Sequence, residues 1–274
     1  MANGLGYSDS LLFALMLATT VAYQITSNFA NDYGDGVKGT DNDSRIGPRR
    51  VLQSGALTRR RLKRGIQVSV GISVLLTLAT LWHAFGAESL GYLVLFLFLG
   101  GLAIWAAIRY TVGTGAYGYR GLGDLFVFLF FGLLSVLGSL FLYTQQLYPG
   151  ALLPAITIGA LSTAVLNLNN LRDCESDRKS GKNTLVVQMG FRNGVRYHFA
   201  LCLLAFASLF WFVLQQDKPI RAAWSLLPFL VIGFHLARVW NVKDPARLDP
   251  ELKKLALSTF LIALLLYFSN HYFL

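Results

Sequence analysis

Eight apolar runs, each long enough to cross a lipid bilayer, constrain the fold of this chain more than any other feature. We place the predicted spans at residues 10–30, 66–83, 90–108, 124–143, 151–170, 197–214, 223–240 and 254–272. In lipid only helices and closed barrels satisfy every backbone hydrogen bond, and a spanning helix needs about 20 apolar residues. No connection between the runs is long and polar enough to form a soluble domain. The sequence therefore predicts one all-α integral membrane domain over residues 1–274.

The amino-acid composition excludes an ordinary soluble domain. Hydrophobic residues make up 54% of the chain and charged residues only 14%, whereas a soluble domain carries about 25% charged residues. No basic segment precedes the first apolar run, so residues 11–21 lack the pattern of a cleaved signal peptide. We therefore expect the first run to remain in the protein as a spanning helix.

The net charge of +10 would fit a nucleic-acid partner, but the basic residues are distributed as in a membrane protein. Nine Lys and Arg lie in the connection 32–65, whereas the connections 84–89 and 144–150 contain none. With eight spans every strongly basic connection falls on one side, and the positive-inside rule makes that side cytoplasmic. In the simplest interpretation these residues only set topology and contact anionic lipid. We expect both termini to face outward and no nucleic acid to bind.

An acidic stretch, FANDYGDGVKGTDND (29–43), follows the first predicted span. Four polar side chains, one just before this stretch and three within it, are spaced at i, i+3, i+4 and i+7: Asn28, Asn31, Asp32 and Asp35. They share one face if the helix continues through them, and the glycines within 34–39 indicate that it ends there. An ordinary helix cap needs one Asp rather than a face of them. Because carboxylates beside a bilayer are costly, we interpret this face as part of a functional site.

The same pattern returns after the fifth predicted span, in NLNNLRDCESDRKSGKNTL (167–185). Asn170, Asp173 and Asp177 are spaced at i, i+3 and i+7, which predicts a second carboxylate face at a helix end. The predicted topology places it on the same, cytoplasmic side of the membrane. Two such faces at one membrane level are a specific signal for a shared site.

The two faces and the cations beside them predict a metal site that binds an anion. The proposed Mg²⁺ ligands are Asn31, Asp32, Asp35, Asp173 and Asp177. Hard oxygen ligands suit Mg²⁺, which binds through a few carboxylates together with substrate phosphates. Basic residues lie next to both faces: Lys38, Arg45, Arg49, Arg172, Arg178, Lys179 and Lys182. Carboxylates and cations together indicate a diphosphate bound through metal.

At this point the chain resembles a known family, the UbiA superfamily of intramembrane prenyltransferases. The resemblance rests on four segments: NFANDYGDGVKGTD (28–41), GPRRVLQSG (47–55), YGYRGLGDLFVFLFFG (117–132) and NNLRDCESDRKSGKNTLVVQMG (169–190). Within the superfamily it is most similar to the 1,4-dihydroxy-2-naphthoate polyprenyltransferases of menaquinone synthesis. The family has nine helices around a central cavity, with Asp-rich motifs on the second and sixth. We predict the same bundle with eight helices, the first of the family's nine apparently missing.

The resemblance implies a Mg²⁺-dependent aromatic prenyltransferase of the inner, cytoplasmic membrane, with its active site opening toward the cytoplasm. It would transfer a polyprenyl group from a polyprenyl diphosphate to 1,4-dihydroxy-2-naphthoate, releasing pyrophosphate and CO₂ and giving demethylmenaquinone. The predicted catalytic residues are Asn31, Asp35, Asp173, Asp177 and Asp124. The predicted substrate-binding residues are Asn28, Asp32, Lys38, Arg45, Arg49, Tyr117, Tyr119, Asn170, Arg178 and Lys182.

Several of these residues have two interpretations. The rings of Phe29, Tyr33, Tyr117 and Tyr119 either shield an allylic cation or form an interfacial aromatic belt. Asp124 either caps the fourth span or orients the acceptor and takes its proton. The glycine-rich connection 109–123 is either a lid over the cavity or a plain turn.

Two other functions also fit the sequence. Buried acids in a polytopic protein are found in ion-coupled transporters, although there the charges sit near the bilayer midplane. An enzyme of the same fold could instead use another acceptor, such as a hydroxybenzoate, a chlorophyllide or a haem. The position of the acids at one membrane face, beside basic residues, favours the diphosphate site.

Overall fold

The computed structural model describes residues 1–41 and 46–271, and within them eight helices are long and apolar enough to cross a membrane. These are α1 (Ser10–Lys38), α2 (Arg59–Phe85), α3 (Leu90–Arg109), α4 (Gly123–Thr144), α5 (Pro149–Arg172), α6 (Phe191–Leu214), α7 (Pro219–Trp240) and α8 (Pro245–Ser269). No described residue lies in a strand. The predicted all-α membrane fold and its eight spans are therefore confirmed.

The ends of α1 and α2 extend beyond the apolar runs because local capping, not hydropathy, decides where a helix stops. α1 runs through the acidic stretch to Lys38 and ends at Gly39, whose φ of 74° is left-handed. α2 begins at the arginine cluster, where the Thr58 hydroxyl accepts a hydrogen bond from the Arg61 backbone N–H at 3.3 Å. Both helices thus carry charged turns past the segment that crosses lipid.

Four short helices lie outside the spans, and one span contains an irregular segment. The short helices are Asn3–Leu5, Tyr117–Arg120, Cys174–Lys179 and Leu185–Met189. Within α4, residues Phe128–Leu134 form a π-helix, a wider turn that is rare and frequently found near functional sites.

The chain forms two compact units. The N-terminal unit contains Asp9–Leu122 and the later segment Ser176–Asn183. The C-terminal unit contains Met1–Ser8, Gly123–Glu175 and Thr184–Leu274. The second acidic motif is therefore divided, because Asp173 belongs to the C-terminal unit and Asp177 to the N-terminal unit.

In the N-terminal unit, α1 and α2 are joined by hydroxyl groups along their shared face. The Tyr23 hydroxyl lies 2.8 Å from that of Thr77, and the Thr26 hydroxyl lies 3.2 Å from that of Ser73. Lipid supplies no hydrophobic force between helices, so small residues and interhelical hydrogen bonds hold such pairs together. This packing fixes the direction in which the end of α1 presents its acids.

In the C-terminal unit, α5 is the most buried span: 61% of the residues in its 18-residue apolar stretch are buried. Gly132 of α4 approaches Gly159 so closely that a Cβ on Gly132 would lie 2.5 Å from the Gly159 Cα. A buried polar chain lies deeper in this unit: the His198 and His235 Nε2 atoms are 2.8 Å apart, and His235 Nδ1 lies 3.0 Å from Glu251. The core is thus closely packed but not wholly apolar.

Candidate active site

The end of α1 presents the first acidic motif as one helical face. Because the helix continues to Lys38, the predicted face is formed; Asp32 and Asp35 on it are both buried, whereas Asn28 is exposed. Gly34 allows close contact with the chain that follows α3, since a Cβ there would lie 2.4 Å from the Thr111 hydroxyl oxygen. That hydroxyl donates to the Ala30 carbonyl at 3.0 Å and lies 3.5 Å from the Asn31 side-chain oxygen.

Asp35 is the centre of a hydrogen-bonded network within the N-terminal unit. The Tyr119 hydroxyl donates to Asp35 Oδ1 at 2.8 Å, and Lys182 Nζ donates to Oδ2 at 3.2 Å. The Thr40 hydroxyl lies 2.5 Å from the Tyr119 oxygen. Lys182 comes from the second acidic motif, so this network joins residues of both predicted motifs. We call Asp35, Lys182, Tyr119 and Thr40 the Asp35 network.

The Tyr119 ring faces two ammonium groups. Lys38 Nζ lies 3.8 Å from the ring centroid and Lys182 Nζ lies 5.5 Å from it. Cations over a tyrosine face are attracted by the negative potential of the ring. The ring is therefore placed against positive charge, which an interfacial aromatic belt would not require.

The charge states at this network follow from its partners. Burial lowers the pKa of Lys182, but the Asp35 carboxylate, followed by Tyr110 and Asp177, more than offsets this and raises that pKa above its usual value. Burial, together with the Asp35 carboxylate, raises the pKa of the Tyr119 hydroxyl. At neutral pH Lys182 is thus charged and Tyr119 is a neutral donor.

Asp32 has a second, separate cation. Arg50 NH1 lies 3.0 Å from Asp32 Oδ1, but this oxygen has no well-directed hydrogen bond among the described residues. Arg49, which was predicted to bind substrate, is exposed, whereas the half-buried Arg50 makes the contact with Asp32. A pair of adjacent arginines does not itself indicate which one turns inward. Arg45 lies outside the described residues.

The second acidic motif is not one unbroken helix. α5 ends at Arg172 and a short helix begins at Cys174, so Asp173 lies at a break. The Arg172 guanidinium binds both Asp173 oxygens, at 2.9 and 2.8 Å, and reaches Asp249 at 2.7 Å. These ion pairs hold Asp173 in the turn between the two helices. The helix that the spacing of Asn170, Asp173 and Asp177 assumed is therefore interrupted at Asp173.

The remaining residues of the second motif are placed as follows. Asn170 and Asp177 are buried and Arg178 is exposed. The Lys182 backbone N–H donates to the Asp177 carbonyl at 2.8 Å, which folds this segment back so that Lys182 and Asp177 lie in the same turn.

Tyr117 and Asp124 occupy different settings from each other. The Tyr117 hydroxyl donates to the Ala106 carbonyl at 2.9 Å, and its ring meets Tyr110 edge-on at 5.4 Å. Tyr117 thus fastens the connection 109–123 to the end of α3. Asp124, in the C-terminal unit, is the second residue of α4 rather than the residue before it, and its carboxylate accepts a hydrogen bond from Tyr197. It is not at the N-cap position.

The donor set fits Mg²⁺ in chemistry. Among residues 1–41 and 46–271 no three His, Cys, Asp or Glu side chains lie together as a ready metal site. Asp32 and Asp35 each contact a cation instead, at 3.0 and 3.2 Å. Their carboxylates and that of Asp177 are nevertheless hard, largely buried oxygen ligands with Lys182 beside them, the combination that a metal-bound diphosphate needs.

The sequence matches the model of the UbiA prenyltransferase family over residues 1–260. It is 44% identical over 253 residues to the 1,4-dihydroxy-2-naphthoate octaprenyltransferase of Escherichia coli (strain K12), a match that covers 91% of this chain and 80% of that protein. Its identity to the protein of the same name from Haemophilus influenzae is 42% over 274 residues, covering 96% of this chain and 85% of that protein.

A more distant relative carries the same name. The 1,4-dihydroxy-2-naphthoate octaprenyltransferase of Mycobacterium tuberculosis is 39% identical over 208 residues, covering 75% of this chain and 66% of that protein. No solved structure matches the chain at a significant level.

Proposed function

The chain belongs to the UbiA prenyltransferase family, and from this premise we propose that it transfers a polyprenyl group from a polyprenyl diphosphate to 1,4-dihydroxy-2-naphthoate. The names of its relatives supply the two substrate classes, and an octaprenyl donor is the natural first choice. The product is the quinol form of demethylmenaquinone. The observation that carries the proposal is the Asp35 network, which holds charged donors beside buried carboxylates at the end of a spanning helix.

The reaction balances without an external oxidant or reductant. The bond between the allylic carbon and the diphosphate oxygen breaks, and its electron pair leaves with pyrophosphate. The ring carbon of the acceptor that bears the carboxylate donates a π electron pair and forms the new carbon–carbon bond. The acceptor carboxylate leaves as CO₂ and returns its bonding pair to the ring, which restores aromaticity.

The residues of the N-terminal unit can perform the binding part of this reaction. Lys182 and Arg50 carry the positive charge that a departing pyrophosphate requires, and hydrogen bonds between charged partners are about twice as strong as neutral ones. Tyr119 orients Asp35 and keeps Lys38 over its ring. In this proposal the diphosphate takes over the cations that now neutralise Asp32 and Asp35.

We propose Mg²⁺ as the metal, held by Asn31, Asp32, Asp35 and Asp177. When bound, the ion would act as a Lewis acid that withdraws charge from the diphosphate. Asp173 was also predicted to be a metal ligand, and that stays a prediction. In the structure its carboxylate is bound to Arg172.

The protein is a multi-pass membrane protein. We propose that it resides in the bacterial inner membrane with the end of α1 facing the cytoplasm. The excess of Lys and Arg in the connections that follow α1, α3 and α5 supports this orientation.

The test is turnover by purified protein in lipid nanodiscs with 1,4-dihydroxy-2-naphthoate, octaprenyl diphosphate and Mg²⁺. We expect mass spectrometry to detect a prenylated product without the carboxyl group, and released pyrophosphate in equal amount. Lys182→Met should abolish turnover, whereas Lys243→Met, an exposed lysine in another connection, should leave it unchanged.

Two outcomes would contradict the proposal. Prenylation of 4-hydroxybenzoate but not of the naphthoate would assign a different acceptor to the same fold. Full activity after removal of divalent ions with EDTA would leave the prenyl transfer intact and overturn the Mg²⁺ part alone.

A further inference from the structure

Several buried polar side chains in the C-terminal unit have atoms without a hydrogen-bond partner among the described residues, and two of them, Asn167 and Asp124, lie on the packed helices α5 and α4. Asn167 of α5 is fully buried, and neither its amide nitrogen nor its oxygen has a partner. Asp124 of α4 is 5% exposed, and its Oδ1 has no partner either. Buried polar groups are nearly always hydrogen-bonded, so these three atoms call for a ligand or a water molecule.

The register of α4 against α5 brings the two side chains to one level. Gly132 packs on Gly159, and the Thr163 hydroxyl lies 3.5 Å from the Asp124 carbonyl oxygen. Residue numbers therefore fall along α4 as they rise along α5, which makes the two helices antiparallel. Asn167 follows Thr163 by one turn on the same face.

Asn167 lies one turn beyond Thr163, the residue that contacts Asp124, and the tilt of helical side chains reduces this displacement along the helix axis. Each Cα–Cβ bond leans toward the N-terminus of its own helix. In antiparallel helices the Asp124 carboxylate leans toward the start of α4, and the Asn167 amide leans back toward Thr163. The two unpartnered groups are thus directed to the same layer of the interface between α4 and α5.

Asp124 is held in place by a third residue. The Tyr197 hydroxyl of α6 donates a hydrogen bond to its carboxylate, which leaves Oδ1 as the available acceptor. Asn167 offers an N–H donor in the same layer of the interface. An acceptor and a donor in one layer match a hydroxyl group, which donates one hydrogen bond and accepts another.

We propose that Asp124 and Asn167 form a binding subsite for a phenolic hydroxyl, with Tyr197 as the residue that positions Asp124. The ligand donates its hydroxyl proton to Asp124 Oδ1 in a hydrogen bond and accepts one from Asn167 Nδ2. This inference rests on the proposed function, which supplies a dihydroxylated aromatic acceptor, and it identifies the side chains that would recognise it.

The chemistry of the acceptor selects one of its two hydroxyl groups. In 1,4-dihydroxy-2-naphthoate the 1-hydroxyl is adjacent to the carboxylate and forms an internal hydrogen bond with it. Only the 4-hydroxyl is free to donate. The subsite is therefore assigned to the 4-hydroxyl.

The test is calorimetric binding of three stable naphthoates to the detergent-solubilised full chain, without a prenyl donor. We expect 4-hydroxy-2-naphthoate to bind about tenfold more tightly than 2-naphthoate, because the hydroxyl gains a hydrogen bond to a charged group. The 1-hydroxy isomer should bind about as weakly as 2-naphthoate. In Asn167→Leu the preference for the 4-hydroxy isomer should fall below about threefold, with the affinity for 2-naphthoate unchanged.

The thermal stability of the same variant separates a ligand subsite from a structural water site. Replacing an unpaired buried amide with an apolar side chain relieves the unmet hydrogen bonds, so Asn167→Leu should melt at the same or a higher temperature than the wild type. A lower melting temperature together with unchanged discrimination would mean that only a structural water occupies the site, and the proposal would be wrong.

Two further variants keep the result interpretable. Thr157→Val on the same helix also removes a buried polar group, but the Thr157 hydroxyl already donates a hydrogen bond to the Leu153 carbonyl at 3.0 Å. It should keep the tenfold preference. If Asn167→Leu fails to fold, Asp124→Asn serves in its place and should reduce the preference as well; an undiminished preference there refutes the subsite.

The outcomes for the subsite and for the proposed function are distinguishable. A wild-type chain that prefers the 4-hydroxy isomer but does not prenylate the dihydroxynaphthoate refutes the proposed reaction alone. A chain that prenylates it, while Asn167→Leu retains the full preference, refutes the subsite alone.

Discussion

Breaking the ion pair between Asp35 and Lys182 from either side should destabilise the protein strongly, and breaking it from both sides should not. The Nζ–Oδ2 distance is 3.2 Å, and the two side chains are 9% and 12% exposed. At that separation an effective dielectric constant of about 20 gives a Coulomb energy of roughly 5 kcal/mol. Desolvation of both ions offsets much of this, so the net value of the pair is small.

The single variants leave one buried charge without its partner. We expect Lys182→Met and Asp35→Asn each to lower the free energy of unfolding by about 3 kcal/mol. Tyr119 and Asp177 remain beside the unpaired group and keep the cost at the lower end of the usual range. The double variant should lie within about 1 kcal/mol of the wild type, which makes the coupling energy roughly 5 kcal/mol.

The assay is reversible unfolding in mixed micelles, with prenyl transfer measured on the same four proteins. A second cycle with Asp9→Asn and His83→Gln provides the control, because that pair at the other end of α1 is 2.8 Å long but much more exposed. Its coupling should be within the error of the measurement. Stability should recover in the Asp35 and Lys182 double variant while activity stays lost. Additive single effects would refute the buried pair.

Three further predictions concern the same unit. Tyr119→Phe keeps the ring under Lys38 but removes the hydrogen bond from the hydroxyl to Asp35, so it should reduce kcat/KM roughly tenfold to a hundredfold. Tyr119→Leu removes the ring as well and should reduce kcat/KM further. Equal losses in the two variants would show that the ring face contributes nothing. Because the pKa values of both Lys182 and Tyr119 are raised, their stabilisation is complete below pH 10 and is lost as the pH rises through the shifted values. The contribution of Lys182 and Tyr119 to the free energy of unfolding should thus be constant from pH 7 to about pH 9.5 and fall above pH 10. The difference in that free energy between the wild type and Lys182→Met should follow the same course, and a difference that already shrinks near pH 8 contradicts this. Gly34→Ala should lower the free energy of unfolding by about 1–3 kcal/mol, since its Cβ would lie 2.4 Å from the Thr111 hydroxyl oxygen. Gly71→Ala, in the middle of α2, meets nothing within 4 Å and should raise that free energy by up to about 1 kcal/mol. Equal effects of the two substitutions on thermal unfolding would contradict the close contact at Gly34.

Much of the candidate site was visible as helical spacing. The i, i+3, i+4 and i+7 pattern from Asn28 to Asp35 predicted a shared face, and α1 does continue through it. At Asp173 the helix instead breaks, and Arg172 binds the carboxylate. Periodicity assumes an unbroken helix. The local sequence does not indicate whether an ion pair of the Asp173 side chain will interrupt that helix.

The cations that neutralise the acids were not predictable in the same way. Lys182 reaches Asp35 across 147 positions in the sequence, and Arg50 rather than its neighbour Arg49 contacts Asp32. Both are long side chains whose reach allows several partners. Asn167 was not distinguished from its neighbours either, because an unpartnered amide is defined only by what surrounds it.

The membrane fold and its eight spans followed from hydropathy. In lipid every backbone hydrogen bond must be made within the helix, and the thickness of the bilayer sets the length of each apolar run. The face of the first acidic motif followed from the helical repeat, which is a local property of the backbone. The partner of each carboxylate, the break at Asp173 and the unpaired amide of Asn167 depend instead on contacts between distant segments. Those contacts are set by side-chain packing and charge pairing, which have no period along the chain.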